Sequence, residues 1–126
     1  MKLKTYRFGE IEFPEDKIIT FEKGLFGFEE LKKYLFIKPD DSLFYWLNSI
    51  DNPDIAFPMF GMRVIDERYP QEENFEAFGI VVLNADPKKI TVNLKAPVYI
   101  NQEDKKGVQK ILDSDKYQID YNLFTE

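Results

Sequence analysis

The feature that most restricts the fold of this chain is its division into short apolar, β-branched stretches by residues that break strand pairing. The clearest stretch, residues 78–83, is followed by Asn84, Asp86 and Pro87, which are typical of turns. About eight to ten such stretches recur at spacings of roughly 8–12 residues without long amphipathic helices between them, as in an antiparallel barrel or sandwich. The pattern predicts an all-β fold: a small antiparallel β-barrel-like single domain over residues 1–126, with at most one or two short helical turns.

Local patterns predict individual strands. Residues 2–6 and 10–13 alternate polar and apolar side chains around Gly9, which predicts a β-hairpin. Residues 44–47 predict a strand that ends before the polar Asn48. The apolar stretch 56–64 contains Pro58, which has no N–H to donate, so we expect an edge strand or a bulge there.

Two further segments could be helical or extended. Residues 29–34 are the best candidate for a short helix. Residues 108–112 could form a helical turn or the return arm of a hairpin. Because five residues are few for a helix and Gly107 stands at the exit of a polar loop, a strand is favoured.

Composition narrows the possible chemistry. The chain contains no cysteine and no histidine, which excludes disulfides, zinc sites of the usual nitrogen and sulfur type, and Ser-His-Asp triads. Lys+Arg number 17 against 23 Asp+Glu, a net charge of −6, and an acidic domain repels phosphate backbones. We therefore expect no direct nucleic-acid partner. Since no stretch resembles an export signal or a membrane span, we expect a cytoplasmic protein with no membrane partner.

Without histidine or cysteine, catalysis would depend on carboxylates, lysine, tyrosine, serine or threonine. Spacing distinguishes no carboxylate pair, and solvated surface charge is the simpler interpretation for nearly all the acids. Asp113, Asp115 and Asp120 lack the turn glycine and closing glutamate of a calcium loop. Residues 24–28 contain two glycines but no partner residues of a phosphate loop, so we expect a tight turn with a phenylalanine packed beneath it. No metal and no cofactor are expected.

The charged and aromatic residues suggest a partner-binding surface in place of a catalytic or metal site. Residues 66–76 carry five acids and one base, Arg68. Such a segment is either a solvated loop or a docking surface that steers a basic partner over about 8 Å, one Debye length in physiological salt. The 12 phenylalanines exceed what a small barrel readily holds, so some, such as Phe26, Phe44 or Phe75, could be exposed interface anchors.

Spaced motifs run along nearly the whole chain. The longest, Thr91-Val-Asn-Leu-Lys-Ala-Pro-Val-Tyr-Ile-Asn101, fits the pattern Thr-x-Asn-Leu-x-Ala-Pro-x-x-x-Asn. Other positions match in order before and after it: Ile19, Phe21, Gly24, Gly27, Phe28, Glu29, Leu47, Ser49, Pro53, Ala56, Phe57, Gly107, Gln109, Ile111, Leu112 and Tyr117. In this order and spacing the sequence resembles the flagellar assembly factor FliW family. It departs from the family pattern in Asn48, where glutamine is usual, and in a shorter linker at residues 64–75.

The resemblance implies a regulatory adaptor with no enzymatic activity and a small β-barrel-like fold. Members of this family bind CsrA, a small RNA-binding translational repressor, and also bind flagellin. Flagellin in the cytoplasm occupies the adaptor, and its export frees the adaptor to capture CsrA and relieve repression of flagellin mRNA. An acidic adaptor bound beside the RNA-binding groove of CsrA would oppose RNA binding non-competitively, by allostery or electrostatic repulsion. We expect a monomer with CsrA and flagellin as partners.

For the protein-binding interface we predict Phe26, Glu72, Glu73, Asn93 and Pro97. Asn93 could instead hydrogen-bond across a turn, and Pro97 could merely end or bulge a strand. The residues by themselves do not exclude two other classes of function. One is a small carboxylate-based or metal-dependent hydrolase on a β-barrel, and the other is a single-strand nucleic-acid binder of the OB type, which the acidic charge disfavours.

Overall fold

Eleven short β-strands form most of the secondary structure in the computed structural model, which describes residues 1–124. The strands are β1 (Lys2–Thr5), β2 (Gly9–Glu12), β3 (Ile18–Phe21), β4 (Lys33–Ile37), β5 (Tyr45–Ser49), β6 (Ala56–Gly61), β7 (Glu76–Val82), β8 (Thr91–Val92), β9 (Val98–Asn101), β10 (Lys106–Gln109) and β11 (Tyr121–Asn122). One α-helical turn, α1 (Met62–Ile65), and two 3-10 turns, Glu15–Lys17 and Pro87–Lys89, lie between them.

Seven of these strands close into a barrel. Their order is β7-β6-β5-β4-β3-β10-β9, and β9 pairs with β7 to complete the ring. Neighbours are antiparallel except β3 and β10, whose parallel register joins Thr20 to Lys106 and Phe21 to Gly107. This short parallel junction is called the seam below. The predicted all-β, barrel-like fold is confirmed.

Alternation along the strands places the apolar side chains inside. Ile19 and Phe21 of β3 are buried, whereas Thr20 between them is exposed. Both buried residues pack with inward-facing residues of β5, β6 and β7. A second cluster, which includes Tyr69 and Tyr99, packs the chain after α1 against β8 and β9. The outer face of β3 is therefore exposed at Thr20 and can contribute to a surface there.

The β1–β2 hairpin lies outside the ring and forms its own two-stranded sheet. Leu3 and Phe13 bury their side chains against Leu35, which points outward from β4. At the tip, the ring of Phe8 packs edge-on against Trp46 of β5, with 5.4 Å between ring centroids. The predicted hairpin is confirmed.

The predicted helix at residues 29–34 is wrong, because β4 begins at Lys33 and pairs with both β3 and β5. Before it, the Phe28 N–H donates to the Leu25 carbonyl and the Leu31 N–H to the Phe28 carbonyl. Bonds that reach three residues back make tight turns here. Glutamate and lysine favour helices, but strand pairing on both sides of β4 outweighs that weak preference.

The expected edge or bulge at Pro58 is also wrong, because β6 lies between β5 and β7 in unbroken register. The Ser49 N–H donates to the Ile55 carbonyl at 2.9 Å, and alternation along the ladder makes Trp46 and Pro58 a non-hydrogen-bonded pair. The missing N–H therefore faces β7, whose ladder with β6 begins one residue later, at Met59. Proline is tolerated inside the barrel because no ladder bond is lost.

β5 continues through Asn48 and Ser49, beyond its predicted end. Both side chains are buried, and both bond to the following loop: Asn48 Nδ2 donates to the Pro53 carbonyl at 3.1 Å, and Ser49 Oγ accepts from the Asn52 N–H at 2.9 Å. These bonds let polar residues occupy an inner strand. Of the strand predicted at residues 108–112, only residues 108 and 109 are extended, in β10, which ends at Gln109; residues 110–112 belong to no strand.

Candidate protein-binding site

The segment of residues 24–28, here called the glycine loop, presents an aromatic side chain to solvent. Gly24 has φ +66°, and a Cβ there would lie 2.7 Å from the Glu29 Cα, so no other residue fits. Gly27 has φ +88°, and its N–H donates to the Glu29 carboxylate at 3.0 Å. That hydrogen bond lowers the pKa of Glu29. The ring of Phe26, at the tip, is 49% exposed.

Gln109, the last residue of β10, ties the glycine loop to the barrel. Its Oε1 accepts a hydrogen bond from the Phe26 N–H at 2.9 Å. Its Nε2 donates to the Ala96 carbonyl at 3.1 Å. One side-chain amide thus connects the two longest stretches that carry the family resemblance.

The second of these stretches contains residues 93–97, here called the asparagine loop, and its polar groups bond internally. Asn93 Oδ1 accepts from the N–H groups of Lys95 at 2.9 Å and Ala96 at 3.0 Å. Pro97 is buried, and its carbonyl accepts from the Lys110 N–H at 3.1 Å. Asn93 and Pro97 therefore shape the loop that meets Gln109, and their interface role stays a prediction.

The acidic segment, residues 66–76, is held against the barrel. The carboxylate of Glu72 forms an ion pair with Lys110, whose ammonium group also lies 5.7 Å from the centroid of the Tyr99 ring. Glu73 is exposed. Phe75, whose N–H donates to the Glu72 carbonyl at 3.0 Å, is half-buried. The two predicted glutamates thus differ, since only Glu72 is neutralised by a neighbouring cation within residues 1–124.

Buried tyrosines anchor the start of this segment. The hydroxyl of Tyr69 donates to the Leu94 carbonyl of the asparagine loop, and burial raises the pKa of Tyr69. Asp66 accepts from the Arg68 N–H at 2.9 Å and from the Tyr117 hydroxyl at 3.3 Å. Chiefly the first of these bonds lowers the pKa of Asp66. The acidic segment is therefore a positioned surface rather than a loose loop.

A groove with a volume of about 760 Å³ runs over the seam on the outer face of the barrel. Its walls include Phe26 and Phe75, called the aromatic wall below, and its floor includes Thr20, Val108 and Gly107. Of the five predicted interface residues, only Phe26 lines this seam groove. Glu72 and Glu73 precede the Phe75 wall in the chain, whereas Asn93 and Pro97 lie outside the lining.

Sequence reasoning did not single out Gln109 or the lysines of the groove. Gln109 was noted as a family position, but nothing in its neighbours indicates a bond to the distant Phe26. Lys33 and Lys106 come together only because β4, β3 and β10 are adjacent in the barrel. No local pattern could have found that pair.

The described residues hold neither a cluster of potential metal ligands nor a helix that could cross a membrane. Residues 1–124 contain no group of three or more Asp, Glu, His or Cys side chains arranged to hold a metal ion. No helix in this part of the chain is long and apolar enough to span a bilayer.

Comparison with known proteins decides the family. The family model described as FliW protein matches residues 2–123, nearly the whole chain. The chain belongs to the FliW family. The flagellar assembly factor FliW of Caldanaerobacter subterraneus is 44% identical over 142 residues, covering 100% of this chain and 95% of that protein. The flagellar assembly factor FliW of Caldicellulosiruptor saccharolyticus is 43% identical over 131 residues, covering 93% and 86%.

The fold agrees with that of a solved FliW protein. A crystal structure of the flagellar assembly factor FliW matches with a TM-score of 0.86 at 27% identity, over 99% of this chain and 98% of the other. The family resemblance seen in the motifs is confirmed. FliW membership supports a role in flagellar assembly that is carried out through protein partners.

Proposed function

We propose that this FliW-family chain is a monomeric, cytoplasmic, non-enzymatic adaptor that binds the translational repressor CsrA and, alternatively, flagellin. Flagellin held in the cytoplasm occupies the adaptor. Export of flagellin frees the adaptor to bind CsrA and so to relieve repression of flagellin mRNA. The observation that carries the proposal is the full-length similarity to flagellar assembly factors at 43–44% identity.

The surface around the glycine loop supports a protein-binding role. Phe26 is half exposed although its main chain is fixed by a bond to Gln109, so the ring is a preorganised apolar anchor. The acidic segment begins beside the asparagine loop, where Tyr69 bonds to Leu94, and it carries Phe75 into the same groove. An apolar anchor next to a charged rim is the usual anatomy of a protein interface.

The charge of the acidic segment supports antagonism by repulsion. Glu67, Glu73 and Glu76 are exposed, and none of them forms an ion pair within residues 1–124. One Debye length is about 8 Å in physiological salt, so an RNA phosphate at that distance from such a carboxylate is still repelled, because salt screens the interaction only in part. Bound CsrA would therefore lose RNA affinity even if its RNA-binding groove stayed empty.

Calorimetric titration with purified CsrA, repeated after saturation with flagellin, tests the proposal. We expect 1:1 binding of each protein at micromolar or better affinity, and loss of the CsrA signal when flagellin is already bound. A ternary complex of undiminished affinity would contradict the switch, and failure of both proteins to bind would contradict the adaptor itself.

A second measurement tests the route of antagonism. The double variant Glu72→Gln, Glu73→Gln should lose less of its CsrA affinity than of its ability to displace RNA from CsrA. Equal losses in CsrA binding and in RNA displacement would count against electrostatic repulsion.

A further inference from the structure

The outer face of the barrel carries a row of three residues in register across the seam. Thr20 on β3 lies opposite Lys33 on β4 and opposite Lys106 on β10. In-register neighbours point to the same side of a sheet, so the exposed Thr20 hydroxyl has one lysine on each side. With strands about 4.8 Å apart, the two lysine Cα atoms are roughly 10 Å apart, and their long side chains can converge over Thr20.

No ion pair within residues 1–124 neutralises the positive charge of this row. Lys33 and Lys106, called the lysine pair below, are exposed and form no ion pair with any residue in 1–124. Glu15, Glu22 and Asp104 also line the groove, and Asp104 accepts a hydrogen bond from Asn101 Nδ2 at 3.2 Å. Lys23 and Lys105 complete the charged lining, so that lysines outnumber acids there in a chain of net charge −6.

The other end of the seam groove is apolar. Val108 follows Lys106 by two residues on β10, so its side chain points to the same face about 6.6 Å further along. Phe26 of the aromatic wall stands at this end, because it is bonded to Gln109, the next residue of β10, whereas strand register places Phe75 level with Lys106. The groove therefore offers an apolar contact and a cationic contact at the spacing of residues i and i+2 of an extended chain.

The main chain of β10 runs along the groove. Lys110 N–H donates to Pro97, and alternation along the β9–β10 ladder turns the main-chain groups of Gly107 and Gln109 toward β3. The β3 ladder ends at the pair of Gly107 and Phe21, and beyond it the glycine loop lies beside Gln109, to which the Phe26 N–H is bonded. The spacing of Lys106 and Val108 along the strand, and not a free ladder edge, therefore favours an extended occupant.

We propose that the seam groove binds an extended segment of a partner protein in which a carboxylate stands two residues from an apolar side chain. The carboxylate lies over Thr20 and between the lysine pair. The apolar side chain contacts Val108 and Phe26. That the segment belongs to a protein rests on the proposed function, whereas its charge, spacing and conformation follow from the groove.

Blocked eight-residue peptides test this inference without CsrA or flagellin. The probe has phenylalanine at position 4, glutamate at position 6 and threonine or serine elsewhere. One comparison peptide has lysine at position 6, and another has glutamate at position 5, on the opposite face of an extended chain. Titrations followed by amide NMR up to about 1 mM, the range of weak binding, should show binding of the probe. Shifts should occur at Gly107, Val108 and Gln109, and both comparison peptides should bind at least tenfold more weakly.

Charge reversal supplies the matched controls. Lys33→Glu, Lys106→Glu should reverse the preference, so that the lysine peptide binds more tightly than the probe. Lys4→Glu, Lys89→Glu makes the same change in net charge at two exposed positions outside the groove and should leave the preference unchanged. Circular dichroism should show that both double variants are folded.

Equal binding of all three peptides, shifts confined to other residues, or no binding at this concentration would overturn the inference. The full proteins separate it from the proposed function. If CsrA and flagellin bind the wild-type chain while the peptide preference is absent, only the inference is wrong. If the peptide preference is as expected but neither protein binds, only the proposed function is wrong.

Discussion

The main-chain N–H of Phe26 donates to Oε1 of Gln109 across 2.9 Å, although the two residues stand 83 positions apart in the sequence. The same amide donates to Ala96, so Gln109 holds two loops at once. A surface residue that fixes the main chain beneath an exposed ring lowers the entropy lost when that ring is buried by a partner.

Gln109→Ala should weaken both stability and partner binding. Two partly exposed hydrogen bonds are lost, which costs about 1–2 kcal/mol in urea unfolding. We expect Gln109→Ala to lower the affinity for CsrA and flagellin. The control Gln102→Ala should lower these affinities less, since Gln102 is exposed in the turn after β9. If the two alanine variants behave alike, Gln109 does not position the glycine loop.

Gly24→Ala should be much more destabilising than Gly9→Ala. Their φ angles are nearly equal, +66° and +68°, so both variants carry the same backbone strain of about 1 kcal/mol. At Gly24 the added Cβ would also lie 2.7–2.8 Å from main-chain atoms of Phe28 and Glu29, whereas nothing lies within 4 Å of it at Gly9. Urea unfolding of the two variants measures the difference. Equal losses of stability would show that the glycine loop can move aside.

Tyr34→Phe should cost little at neutral pH and should change the response to alkali. Its hydroxyl is buried and has no hydrogen-bond partner within residues 1–124, so removing it leaves nothing unpaired. Burial raises the pKa of Tyr34 to about 12, above its ordinary value of 10. Folded protein thus keeps a proton that the unfolded chain releases, and wild-type stability should fall as the pH rises from 10 to 12.

The variant should lose less stability over that interval, as measured by urea unfolding at each pH. Tyr69→Phe is the informative comparison, because the pKa of Tyr69 is also raised but its hydroxyl bonds to Leu94. That variant should be destabilised already at pH 7. If the free energy of unfolding of wild type and of Tyr34→Phe falls equally between pH 10 and pH 12, the raised pKa of Tyr34 is not the cause of the loss.

Glu73→Gln and Glu72→Gln change the net charge equally but should act differently on CsrA. Glu73 has no cationic partner within the described chain, so its removal should slow association a few-fold at low salt and flatten the salt dependence. Removal of Glu72 frees Lys110, which adds an uncompensated cation and should slow association more. Stopped-flow association at two salt concentrations distinguishes them. Identical rates for both variants and wild type would show that the acidic segment lies away from CsrA.

The sequence was most informative where pattern and surroundings agree. The alternation around Gly9 and the apolar stretch before Asn84 predicted the hairpin and β7, because one face of each strand is buried. Residues 29–32 contain two glutamates and a lysine, which favour helix, yet they form turns because β4 is fixed by its neighbours. The edge or bulge predicted at Pro58 was wrong for a similar reason, since only the pairing of β6 with β5 and β7 shows which way the proline nitrogen faces.

The candidate site was less predictable than the fold. Phe26 could be proposed because the 12 phenylalanines exceed what a small barrel readily holds, so that some of them must lie at the surface. Lys33 and Lys106 become neighbours of Thr20 only through strand pairing over long separations in the sequence. Asn93 bonds within its own loop, which the sequence had left open as an alternative to contact.

The parallel seam also determines when the barrel can close during synthesis. β3 leaves the ribosome long before its partner β10, so the ring cannot close until β10 has been made. The groove over the seam does not exist before that moment. A nascent or truncated copy without β10 therefore lacks the seam groove, however many of the earlier strands it already contains.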